Sequence, residues 1–130
     1  MEFNMKDVGF YTETSYGRLD VAGDEAYGFR PYQLLVASVA VCSGGVLRKI
    51  LEKMRMTIKD IHISTDVVRN KDEADRVEVI NVHFTIEGEN LDEKKIHKAM
   101  DLTRKNCSMV QSVIGKIEIN ETFEIAPIGE

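Results

Sequence analysis

The run from Leu34 to Leu47 carries no charged residue over 14 positions and is bracketed by Arg30 and Arg48-Lys49. A membrane span needs roughly 20 apolar residues, so a run of this length reads as the buried core helix of a soluble fold. Pro31 suits the first helical position, because it has no N–H to leave unpaired there. The helix is expected to continue to about Met54. Its first half is apolar on all sides, which predicts burial all round. Its second half, Val46 to Met54, is amphipathic. Gly44-Gly45 sits between the halves. Each Gly costs about 1 kcal/mol inside a helix, so the pair predicts a kink or a close approach by another element.

Everything else must pack around that helix. Residues 2–11 and 16–22 read as two strands joined near Thr14-Ser15-Tyr16-Gly17, and Gly23 to Phe29 as a loop. After the helix, Asp60 to Arg69 reads as a strand. In the strand that follows, Ile80, Val82, Phe84 and Ile86 alternate with Asn81, His83 and Thr85. A change of phase between Val79 and Ile80 predicts a β-bulge there. Asn70 to Arg76 is a charged, solvated loop. Asp92 is a good N-cap for a second helix with Ile96, Ala99, Met100 and Thr103 on its inner face. Ser108-Met109-Val110-Gln111 matches a capping box and predicts a short third helix ending near Gly115. Ile117, Ile119, Phe123 and Ile125 form a closing strand. The expected fold is α+β, in the order β-β-α-β-β-α-α-β, with the long buried central helix packed against an antiparallel sheet, as a single domain over residues 1–130.

Composition removes several classes of function. With 130 residues, 43% hydrophobic and 30% charged, the chain has the make-up of an ordinary globular domain. A net charge of −5 and no Lys/Arg stripe argue against a nucleic-acid surface. Two Cys are too few for a secreted disulfide scaffold. The start of the chain, Met1-Glu2-Phe3-Asn4, has no apolar signal segment, which points to a cytoplasmic protein without membrane attachment. His62, His83 and His97 have no ligand spacing, so no metal is expected. His62 and His83 fall on the polar phase of strands and should be exposed.

The chemistry is concentrated in Cys42 and Cys107. A cysteine reacts as its thiolate, so its surroundings decide its reactivity. Cys42 lies about three turns into the central helix, beyond the reach of that helix's dipole; its activation would need a cation, with Arg30 and Arg18 the nearest in sequence. Cys107 directly precedes the expected N-cap Ser108, where free backbone N–H groups favour an anion. On local physics alone Cys107 is the more acidic thiol. The bland alternative is that both are small hydrophobes filling a core.

The segment Gly28-Phe29-Arg30-Pro31-Tyr32-Gln33-Leu34-Leu35-Val36-Ala37-Ser38-Val39-Ala40-Val41-Cys42 resembles the OsmC/Ohr family of osmotically inducible and organic-hydroperoxide-resistance proteins. The closer resemblance is to its YhfA-like branch, in which an Arg-Pro-x-Glu-Leu-Leu-Leu segment runs into Ala-x-Cys. Lys105-Asn106-Cys107-Ser108-Met109-Val110 resembles that branch's second cysteine segment, Tyr-Cys-Ser-Val. The resemblance implies an intertwined homodimer with active sites at the subunit interface. It also implies a cofactor-free thiol peroxidase acting on organic hydroperoxides or hydrogen peroxide in oxidative-stress defence. Cys42 would then be the peroxidatic thiol and Cys107 the resolving thiol, re-reduced by an external dithiol, with an Arg beside Cys42. Arg30 matches the branch's Arg-Pro, and Arg18 lies in the more plausible loop position.

One departure stands out. The family's Glu is absent: Tyr32 occupies the Ohr-like position and Gln33 the YhfA-like one. Gln33 can accept a hydrogen bond but lacks the charge of an Arg–carboxylate pair. Two functions therefore remain open, a thiol peroxidase and a non-catalytic redox-responsive or ligand-binding relative.

Overall fold

Pro31 opens the central helix as expected, and the helix runs unbroken to Lys53 in a computed structural model that describes residues 1–126. Arg55, at φ 67°, turns the chain out of it. The element order is β1 (Asn4–Met5), β2 (Phe10–Glu13), β3 (Arg18–Val21), α1 (Pro31–Lys53), β4 (Thr57–Asn70), β5 (Arg76–Glu89), α2 (Glu93–Asn106), α3 (Ser108–Val113) and β6 (Glu118–Ile125). The α+β class holds. Two compact units divide within α1, one ending at Ala37 and the next starting at Ser38.

In the first unit β1, β2 and β3 form an antiparallel sheet. The single strand expected over residues 2–11 is instead two strands, because Lys6 N–H bonds Gly9 O and reverses the chain. Gly9 has φ 79°, and a Cβ there would collide with Val21 O, so only glycine fits. The turn at Thr14–Gly17 is where the sequence places it: Thr14 Oγ1 donates to Gly17 O at 2.7 Å and accepts from Gly17 N at 3.1 Å. Residues 23–29 fold back on β3, with Phe29 N bonding Asp20 O and Ala22 N bonding Phe29 O.

In the second unit β4, β5 and β6 form one sheet. β4 and β5 pair antiparallel, but β6 runs parallel to β5, so the sheet is mixed rather than purely antiparallel. Two helices between β5 and β6 supply the crossover that a parallel return needs. Ile80, Val82, Phe84 and Ile86 are all at most 1% exposed, as are Leu47 and Leu51 of α1. The break in the β5 ladder falls between Val77 and Val79, earlier than the expected step at Val79–Ile80. It turns Val77 and Ile80 to the same side. The other face of the sheet is polar: His62 is exposed, and His83 bonds Thr122 at 2.7 Å and Glu124 at 3.2 Å.

The helix runs through the Gly pair without a break. Gly44 makes the expected close approach, since a Cβ there would lie 2.6 Å from Ile63 Cδ1, whereas Gly45 faces open space. The expectation of burial all round fails within one chain, because Val41 is 67% exposed. The 14-residue apolar run is too short to span a membrane, yet the whole helix of 23 residues is long and apolar enough by length and composition, with 39% of its most apolar stretch buried. Here Gly44 lies against β4 and Ser43 Oγ donates to the Glu121 carboxylate of β6, so α1 is packed on the sheet.

Candidate functional site

Cys42 and Cys107, 65 positions apart in sequence, meet in the fold. Cys42 is half-buried on α1, and both thiols are free. Cys107 is fully buried at the joint between α2 and α3. Its N–H closes α2 by bonding Thr103 O at 2.9 Å, and its carbonyl accepts the first bond of α3 from Gln111 N at 3.0 Å. Its own backbone is extended, at φ −80° and ψ 112°. This one-residue joint aims the unpaired N–H groups that open α3 at the sulfur of Cys42.

The two thiols are pushed in opposite directions. The Cys42 pKa is lowered from 9.0, chiefly by the backbone N–H of Met109. Burial opposes this; hydrogen bonds from the Cys107 thiol, the Ser108 hydroxyl and the Ser108 N–H reinforce it. The Cys107 pKa is raised, mainly by burial and further by its hydrogen bond to Cys42 and the charge there, against the N–H groups of Val110 and Met109. The expected ranking is therefore reversed. The first turn of α3 does favour an anion, but the anion it reaches is on another element.

The expected capping box does not form. Cys107, not Ser108, is the N-cap of α3, and no side chain caps it. Gln111 Nε2 donates to Arg104 O at 2.9 Å instead of reaching back. The Ser108 hydroxyl lies 3.7 Å from Cys42 Sγ. Ser108 was missed as a site residue when read only as a cap.

The remaining candidates belong to the first unit. Arg18 Nε bonds Asp20 Oδ1 at 3.2 Å and its guanidinium stacks 3.8 Å above the Tyr11 ring. Lys6 holds the same carboxylate at 2.9 Å, and the Asp20 pKa is lowered, first by Lys6 and then, against burial, by Arg18. Arg30 lies 4.8 Å from the centroid of the Tyr32 ring, and Gln33 is exposed in the first turn of α1. Among the described residues no group of three or more His, Cys, Asp or Glu could hold a metal ion.

Residues 22–122 match the family model for OsmC-like protein. The chain belongs to the OsmC-like family. Within it, protein YhfA of Escherichia coli strain K12 is 25% identical over 105 residues, covering 80% of this chain and 77% of YhfA, which places the chain on the YhfA-like branch. A hypothetical protein from Aquifex aeolicus VF5 superposes with a TM-score of 0.85 at 26% identity, over 96% of this chain and 93% of its own. The organic hydroperoxide resistance protein OhrB of Bacillus subtilis shares the fold, with a TM-score of 0.65 at 20% identity over 95% and 98% of the two chains. In this OsmC-like protein, then, the paired thiols both lie within the family-matched region.

Proposed function

We propose that this OsmC-like protein is a thiol peroxidase that reduces organic hydroperoxides, or hydrogen peroxide, in cytoplasmic oxidative-stress defence. The observation that carries this is the Cys42 sulfur, held among hydrogen-bond donors that favour its thiolate, with the Cys107 thiol against it. The Cys42 thiolate attacks the outer peroxide oxygen. The O–O bond breaks, the alkoxide leaves and takes up a proton, and Cys42 becomes a sulfenic acid. Cys107 then loses its proton and attacks that sulfur, water departs, and a disulfide forms. An external dithiol supplies two electrons and two protons to restore both thiols. The high pKa of Cys107 suits this order, since it stays a proton donor until Cys42 has been oxidised.

Arg18, held by Asp20 and Tyr11, and Arg30 are the candidate cations of the reaction, with Gln33 at the position of the family's Glu. A homodimer with its sites at the interface completes the proposal. The absence of that Glu at Tyr32 and Gln33 favours the alternative, a relative whose thiols oxidise without turnover.

The test is consumption of cumene hydroperoxide by the reduced protein with excess dithiothreitol, beside Cys42→Ser and Cys107→Ser. Saturable turnover abolished in Cys42→Ser is the expected result. With dithiothreitol removed, Cys107→Ser should still consume one peroxide per chain in a single burst. Background rates in all three would leave the non-catalytic alternative.

A further inference from the structure

We propose that Ser108 is a catalytic residue of the thiol site, its hydroxyl donating to the Cys42 thiolate and holding the sulfur in its reactive form. The Oγ and Sγ atoms are 3.7 Å apart although the residues are 66 positions apart in sequence, so the contact is made by the tertiary fold. That separation is long for an oxygen acceptor and fits the larger sulfur atom. A thiolate carries no proton and can only accept, so once Cys42 ionises the hydroxyl must be the donor. A hydrogen bond to an ionised partner is roughly twice as strong as a neutral one.

The hydroxyl is free for this task. It caps nothing, since the N-cap of α3 is Cys107 with no side-chain cap bond. The Gln111 side chain that would complete a capping box is committed to Arg104 O. Ser112 Oγ donates to the Ser108 carbonyl at 2.7 Å, anchoring the residue through its backbone. Chemistry separates Ser108 from the other side chain on Cys42. The Cys107 thiol gives up its proton during the proposed cycle, whereas a hydroxyl is not oxidised by peroxide and remains a donor at every stage.

The inference deepens the peroxidase proposal, yet its first readout needs no peroxide. Reduced wild type, Ser108→Ala and Ser108→Thr are alkylated with iodoacetamide across a pH series, and the Cys42 peptide is followed by mass. Ser108→Ala should slow alkylation by about 3–10-fold near neutral pH. The curves should converge at alkaline pH, where Cys42 is ionised in either protein. Ser108→Thr, which keeps the hydroxyl, should restore the wild-type curve. A Ser108→Ala curve superimposable on wild type overturns the proposal. So does a deficit that persists at alkaline pH or that Ser108→Thr shares, since either would mark a packing effect. Hydroperoxide turnover is the second readout and should show the same loss confined to neutral pH. An alkylation shift in a protein with no turnover would uphold Ser108 as the thiolate donor while removing the peroxidase.

Discussion

Cys42 and Cys107 are the same side chain in two environments, and the difference sets a pH signature. Between the lowered Cys42 value and the ordinary thiol value of 9.0, the folded chain has released a proton that the unfolded chain still holds. Stability therefore rises with pH in that window. Above 9.0 the folded chain retains the Cys107 proton that the unfolded chain has lost, and stability falls as pH rises. Thermal midpoints of the reduced protein from about pH 7 to about pH 10 should show the rise diminished in Cys42→Ser. Cys107→Ala should diminish the later fall. A Cys42→Ser profile parallel to wild type throughout would contradict the lowered value. The sequence made both cysteines visible as the chemistry of the chain, but it ranked them wrongly. Position along a helix reveals only that helix's own dipole, while the donors on Cys42 come from residues 107, 108 and 109.

At the level of elements, two helix starts that look alike in sequence do different work. Asp92 accepts from Lys94 N at 3.0 Å and Lys95 N at 3.3 Å, so it caps α2. Ser108 caps nothing on α3. Asp92→Ala should cost about 1 kcal/mol, whereas Ser108→Ala should change stability by no more than about 0.5 kcal/mol. Urea unfolding midpoints at constant m-value give the comparison, and equal losses would contradict the difference between the two helix starts. Long periodic elements such as α1 and the inner row Ile80, Val82, Phe84 and Ile86 were legible because one apolar face dictates one geometry. The split between β1 and β2 was not, since it depends on the short reversal at Lys6–Gly9. Nor was the direction of β6: alternation marks a strand without saying which neighbour it pairs with or which way it runs.

For the molecule as a whole, the apolarity of α1 exceeds what a single chain covers. Val41 is 67% exposed and lines a groove of about 320 Å³ whose walls mix Ile58, Ile61 and Ile63 with the charged Arg48, Lys59 and Asp60. The apolar part of that face is a liability on an isolated chain. It fits the proposed homodimer, in which a second copy covers it and the groove belongs to a self-complementary surface. Light scattering of the reduced protein should then give twice the 14.7 kDa of one chain. Two-fold symmetry places any substitution on both sides of the contact, so Val41→Glu introduces two buried charges of the same sign. It should yield a monomer with a lower thermal midpoint. If the active sites lie at the interface, hydroperoxide turnover should fall with the dimer fraction and recover at high protein concentration. A monomeric wild type would remove the dimer, and a dimeric Val41→Glu would move the interface to another face.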